Sequence, residues 1–360
     1  MNYDYLIVGA GFAGSVAAER LASQHNKKVL LVEKRNHIGG NAYDEYDKHG
    51  VLVHKYGPHI FHTNSQEVFE YLSQFTEWRK YEHKVLAKLD GELYPIPINR
   101  TTINKLYNKN FTTDDEVKEF YESVREKINP ILNSEDIIVN QVGQDLYEKF
   151  FKYYTKKQWE LDPSQLSSSV CGRIPIRTNT DDRYFTDKYQ YMPKEGYTQM
   201  FERMLNHPNI EIRLDTDYKD VVNEIKFDKM IYTGPIDYFF DYKFGKLPYR
   251  SIKFEWKNLD VERFQEVAVV NFVGSEKHTR ITEYKHLTGQ NAESTSLSYE
   301  YPTFDGEPYY PIANRESQKQ TKLYKKEIIK LKNIQFIGRL AENKYYNMDG
   351  VVAKMLNLIK

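Results

Sequence analysis

Gly9-Ala-Gly-Phe-Ala-Gly14 stands between a short apolar run, Tyr5 to Val8, and a helix-patterned stretch, Val16 to Leu21. Few motifs limit a fold so tightly. The first glycine permits the tight turn, the second lets backbone approach a pyrophosphate, and the third lets helix and strand pack closely. The helix N-terminus then faces the negative charge. A second buried strand, Val29 to Val32, leads to Glu33, 19 residues after Gly14. An acidic side chain there accepts a hydrogen bond from an adenosine ribose. This is the β-α-β opening of a doubly wound α/β domain that binds a dinucleotide.

Further along, Ser65 to Phe75 is again helix-patterned, and about Thr101 to Trp159 is rich in Glu, Lys and helix-spaced apolar residues. From Tyr249 to Ser298 the pattern becomes alternating β-branched and aromatic residues, which predicts an antiparallel sheet. The end returns to α/β character: a strand at Ile334 to Ile337, then Gly338-Arg339, then a helix over Val351 to Ile359. The expected fold class is α/β, a Rossmann-like domain with an inserted helical lobe and an antiparallel sheet lobe. The first domain takes residues 1–76, about 190–245 and 320–360. The helical lobe takes about 100–162, and the sheet lobe about 77–99, 163–189 and 246–319.

Lys plus Arg equals Asp plus Glu, at 51 each, so no global field attracts nucleic acid, and an anionic ligand needs local cations. The single Cys171 excludes an intrachain disulfide and fits a reducing cytosol. No secretory signal and no apolar stretch of membrane-spanning length is present, so a cytoplasmic protein is expected. His59 and His62 have the H-x-x-H spacing, but no Cys or carboxylate cluster completes a metal site. Cys171 has no His/Asn context that would make it a nucleophile.

Glu33-Lys-Arg-Asn-His-Ile-Gly-Gly-Asn-Ala42 narrows the dinucleotide. An acidic strand end followed by Gly39-Gly40 resembles FAD-binding proteins of the amine-oxidase and mutase type, and Gly338-Arg339 resembles their second flavin contact. His54-Lys-Tyr-Gly-Pro-His-Ile-Phe-His-Thr-Asn64 resembles the signature of the UDP-galactopyranose mutase family. The resemblance continues through Gly143-Gln-Asp-Leu-Tyr147, Tyr154-Thr-Lys-Lys-Gln-Trp159, Arg173-Ile-Pro-Ile-Arg177, Tyr232-Thr-Gly-Pro-Ile-Asp237, Phe240-Asp-Tyr242, Tyr249-Arg-Ser251, Glu307-Pro-Tyr-Tyr-Pro311 and Gly338-Arg-Leu-Ala-Glu342. These blocks stand in family order from end to end.

The resemblance implies FAD, required in its reduced form, held by Gly9, Gly11, Phe12, Ala13, Gly14, Glu33, Lys34, Gly39, Gly40, Asn41, His59, Ile60, Arg339, Asn347 and Met348. It implies that Trp159 stacks on uracil, framed by Phe151, Tyr154 and Thr155. Arg173 and Arg280 would neutralise the diphosphate, a task suited to a guanidinium, whose charge persists and whose fork meets two oxygens. Tyr184, Tyr310 and Tyr345 would contact the phosphates, and Asn271 the ligand. His59 would position the flavin ring. Arg173 lies in the small polar run Ser167 to Arg173, within an expected mobile flap at 167–177.

The implied reaction is the reversible ring contraction of UDP-galactopyranose to UDP-galactofuranose, for cell-surface polysaccharide, through a covalent adduct between reduced flavin N5 and sugar C1. No glycosidase-like carboxylate pair is needed if the cofactor carries that chemistry. An electron donor such as NAD(P)H or a reductase is implied, and relatives suggest a homodimer. Three positions depart from the family pattern: Asn347 replaces an acidic residue, His83 an asparagine, and Pro58 an alanine. The competing readings are a flavin oxidoreductase of the amine-oxidase type and a silent UDP-sugar or flavin-binding protein.

Overall fold

β1 (Asn2–Val8), α1 (Phe12–His25) and β2 (Val29–Val32) form the expected unit in the computed structural model, which describes residues 2–312 and 314–360. The chain divides into two compact units. The first gathers Met1–Tyr81, Asp187–Tyr249 and Glu307–Lys360; the second gathers Glu82–Thr186 and Arg250–Gly306.

In the first unit β1 is the centre of a five-stranded sheet. β2 and then Ile210–Arg213 lie on one side; Lys226–Tyr232 and then Ile334–Phe336 lie on the other. Every pair is parallel. A parallel sheet is covered on both faces, which is why Val29–Val32 is apolar throughout and wholly buried. α1 packs through Ala13, Gly14, Ala17 and Ala18, all buried. A Cβ on Gly14 would sit 1.8 Å from the Gly9 carbonyl oxygen, so helix and strand meet at a distance only glycine allows. Below the sheet Tyr3, Leu6, Val8, Leu30, Tyr218 and Tyr232 form a core with Phe239 and Phe336 against it. The helix at the chain's end is Met348–Leu358, three residues earlier in its start than the pattern predicts.

The second unit contains a sheet and helices. Tyr249–Leu259 pairs antiparallel with Thr295–Thr303 over nine residues, from Ser251 opposite Thr303 to Leu259 opposite Thr295. The next strands inward are β4 (Arg280–Glu283) and β3 (Val269–Phe272), then Val85–Leu89 and Glu92–Ile96. β3 departs from the antiparallel pattern, running parallel to Val85–Leu89. The helices Arg100–Tyr107 and Asp114–Val124 each open on a capping box, at Asn99 with Thr102 and at Thr113 with Glu116. Ser134–Leu146 is kinked at Gly143, whose φ of 81° and close approach to the Val124 carbonyl exclude a side chain. A wide π turn, Tyr147–Lys152, follows, and the helix continues as α2 (Tyr153–Trp159). Such turns re-aim the residues that come after them.

Candidate nucleotide and substrate site

The first unit supplies a cradle made of main chain. Gly9 has φ +98°, and a Cβ there would meet the Thr233 hydroxyl at 2.2 Å. The Gly39 N–H donates to the Ala10 carbonyl at 2.8 Å, which brings the two glycine loops together. A Cβ on Gly40 would lie 2.8 Å from the Gly11 Cα. Around Gly11 there is therefore bare backbone on both sides, the surface a pyrophosphate requires. The Glu33 carboxylate is aimed back at this turn: one oxygen accepts from the Ala10 N–H at 2.8 Å, the other from the Arg35 N–H at 3.0 Å. Each oxygen keeps a lone pair for a ribose hydroxyl. These residues fit a dinucleotide.

The side chains of the other expected cofactor residues are held as follows. Phe12 turns its ring into the core against Tyr197 and Phe201, so only its backbone faces the turn. Lys34 pairs with Asp217 at 3.3 Å. Asn41 accepts two bonds from the Arg35 guanidinium, which also meets Glu307. Asn347 is the N-cap of the last helix, without a side-chain cap bond, and Met348 is its first residue. Ile60 is half-buried.

His59 is a neutral imidazole held in one tautomer. Its Nδ1 lies 2.9 Å from the Gly57 carbonyl and must carry the proton, which leaves Nε2 as an acceptor. Its backbone N–H donates to Nδ1 of His54 at 3.0 Å. Burial pushes both imidazoles down to about 3, and for His59 the Arg339 charge acts in the same direction. His62 instead pairs with Asp187 at 3.0 Å. Among the described residues no three His, Cys, Asp or Glu side chains cluster as metal ligands. Arg339 donates to the Tyr346 carbonyl at 2.9 Å, and its guanidinium lies over the rings of Tyr310 and Tyr345 at 5.3 and 5.2 Å. Those two rings stack at 6.3 Å, so three of the expected residues form one group.

The second unit assembles another group. Asn271 on β3 and Arg280 on β4 are directly paired across the strands. Tyr154, from α2, reaches both: its hydroxyl donates to Asn271 Oδ1 at 3.4 Å and accepts from Arg280 Nη2 at 3.0 Å. Burial pushes the Tyr154 phenol up while Arg280 opposes, so it remains a neutral hydroxyl. Trp159 is the last residue of α2, half-buried. Thr155 turns inward, with its hydroxyl 3.5 Å from Cys171 Sγ, and Phe151, in the preceding π turn, is buried. Tyr184 donates its N–H to the His83 carbonyl at 2.7 Å and sets its ring edge-on to the His83 ring. Arg173 is exposed at the end of the short helix Ser169–Gly172. That helix is seated on its neighbour, since a Cβ on Gly172 would lie 2.7 Å from Ile137.

A model of the UDP-galactopyranose mutase family matches residues 149–345. The chain is 38% identical to a probable UDP-galactopyranose mutase of Klebsiella pneumoniae, over 99% of this chain and 93% of that one. The chain belongs to the UDP-galactopyranose mutase family. A second model, of an NAD(P)-binding Rossmann-like domain, matches residues 7–75. Within the mutase family the chain is also 38% identical to the UDP-galactopyranose mutase of Mycoplasma genitalium, over 98% of this chain and 92% of that one. It is 36% identical to a dTDP-fucopyranose mutase of Escherichia coli, over 96% and 94%. The crystal structure of a reduced UDP-galactopyranose mutase shares the fold, with a TM-score of 0.80 at 16% identity over 100% of this chain and 93% of that one.

Two residues of this mutase-family chain stand out only in three dimensions. Glu300, directly across from Arg280 in the sheet, is buried and sets Oε2 3.3 Å from Arg280 Nε. Burial pushes its carboxyl up and the guanidinium opposes. Alternation does not mark it in the sequence, since residues on both faces of its strand are buried, Thr295 and Leu297 as well as Ser296 and Ser298. Arg250, wholly buried, donates to the Gln158 carbonyl at 3.0 Å and to Glu160 at 3.2 Å, with Phe304 under its guanidinium. It holds the chain on both sides of Trp159. Nothing local in the sequence separates it from a solvated arginine.

Proposed function

We propose that this chain is a UDP-galactopyranose mutase that uses FAD in its reduced form. The meeting of Arg280, Asn271 and Tyr154 within one hydrogen-bonded group, two helical turns or fewer from Trp159, supports the reading most directly. Gly9, Gly11, Gly14, Glu33, Gly39 and Gly40 would hold the dinucleotide. When bound, the reduced flavin supplies a nucleophilic nitrogen, N5, for the anomeric carbon.

The chain's own residues would do the rest. Trp159 offers a stacking face for the uracil, with Tyr154 beside it. Arg280, and Arg173 from its polar segment, would hold the diphosphate while its bond to the sugar is broken and remade. Fixed cations do this without reorganising as charge develops. Glu300 would keep the Arg280 fork turned, and Tyr310 and Tyr345, held by Arg339, would add phenolic donors to the phosphates. His59, neutral and offering Nε2 as an acceptor, would orient and not donate a proton. The two carboxyls of a glycosidase have no counterpart in this scheme, and Asn347 adds no acid.

Purified protein, reduced with dithionite and incubated with UDP-galactofuranose, is expected to release UDP-galactopyranose with no net change in redox state. Oxidised sugar products, or recovery of the substrate unchanged, would overturn the assignment. The Escherichia coli relative makes a parallel incubation with dTDP-fucopyranose the necessary comparison; faster turnover there would transfer the assignment to the 6-deoxy sugar. The same reading expects a cytoplasmic homodimer supplied by an electron donor such as NAD(P)H or a reductase. Among the described residues no helix is long and apolar enough to cross a membrane.

A further inference from the structure

The hairpin that carries Asn271 and Arg280 is gripped by a cation to which the scheme above gives no part. Lys157 follows Tyr154 by three residues on α2 and so shares its face. Its half-buried ammonium donates to the carbonyl oxygens of Phe272 at 2.6 Å, Glu276 at 2.9 Å and His278 at 3.4 Å. An ammonium has three donors and no acceptor, so the carbonyls of one loop use all three. That loop is the connection between β3 and β4. The same helix face therefore meets the hairpin twice, through Tyr154 at its stem and through Lys157 at its loop.

Three carbonyl dipoles converging on one point repel each other unless a positive charge sits among them. The loop's conformation thus depends on Lys157, and the loop joins the two strands that present Asn271 and Arg280 to Tyr154. Burial lowers the Lys157 pKa, with the Glu276 charge opposing.

We propose that Lys157 is a positioning residue for the nucleotide: it sets the hairpin so that Asn271 and Arg280 already meet Tyr154 before ligand arrives. The inference rests on the reading that these residues hold UDP. Lys157 touches no ligand; it reduces the ordering that binding would otherwise require. Its loss should therefore appear in affinity, with turnover at saturation and flavin content little altered. A lysine that merely fastens the sheet would lower thermal stability and leave the affinity of the folded fraction untouched.

Calorimetric titration of UDP into flavin-loaded wild type and Lys157→Met separates these cases. The expected result is a Kd raised at least about ten-fold in the variant, with KM raised in parallel and kcat kept within about three-fold. Equal affinity in the two proteins would overturn the inference. Failure of the wild type to bind UDP would overturn the functional reading beneath it. If Lys157→Met does not fold, inserting two glycines after Gly274 loosens the same loop with Lys157 intact. The same loss of affinity then supports the inference, and unaltered affinity overturns it.

Discussion

Gly11 and Gly14 differ in what a methyl group would meet, and that difference separates ligand space from packing. At Gly14 a Cβ collides with the Gly9 carbonyl, whereas at Gly11 it lies 3.7 Å from the Gly40 Cα, an ordinary contact. Gly11→Val is therefore expected to fold with the thermal stability of flavin-free wild type and to carry no flavin absorbance. Full flavin content would move the cofactor elsewhere. Arg280→Ala removes a charged donor from the Tyr154 group and is expected to cost about 2–5 kcal/mol in transition-state binding, read from kcat/KM. Trp159→Ala is expected to weaken UDP by about 1–3 kcal/mol, the range for stacking on a base. Unchanged UDP affinity would make Trp159 a packing residue. The charged residues that these predictions do not touch, Glu300, Arg250 and Lys157, are the ones the sequence hides. A buried charge and a solvated one are written with the same letter, and the partners here lie from 90 to over 100 residues away or across a strand pair.

Among the elements, the helix leading to α2 bends twice, at Gly143 and through the π turn Tyr147–Lys152. Gly143→Ala places a Cβ 2.1 Å from the Val124 carbonyl at a φ of 81°. The expected loss is at least about 1–3 kcal/mol from the backbone conformation, before the clash is counted. It should be visible as a lowered denaturant midpoint, together with weaker UDP binding as α2 is turned. An unchanged midpoint would mean that the two helices do not cross so closely. Neither bend was legible from apolar spacing, which marks about 101–159 only as mostly helical. The β-α-β unit was legible because glycine spacing, apolar strands and Glu33 are all local. The strands Ile210–Arg213 and Lys226–Tyr232 were not, because five of their eleven side chains are charged and their places in the sheet depend on distant partners.

For the molecule as a whole, acid should be destabilising in the range where histidines titrate. His54 is buried and neutral, with its Nδ1 accepting the His59 N–H, and its pKa lies near 3 against an ordinary value of about 6.5. The unfolded chain thus takes up a proton below pH 6.5 that the folded chain refuses, so stability falls as pH falls. At pH 5 this one group removes about 2 kcal/mol relative to neutral pH. His54→Asn, which keeps a side-chain acceptor, is expected to flatten the dependence of unfolding free energy on pH between 7 and 5 by about one proton. An unaltered slope would place the titration elsewhere. One further consequence follows from the order of the strands. β1 is paired on one side by β2, its near neighbour in the chain, and on the other by Lys226–Tyr232. A ribosome makes the fingerprint turn first and the strand that covers the open edge of β1 some 220 residues later. Until then the nascent chain exposes an apolar edge that invites mispairing. Cofactor capture is therefore expected late in biosynthesis, with chaperone demand greatest in the interval between those two strands.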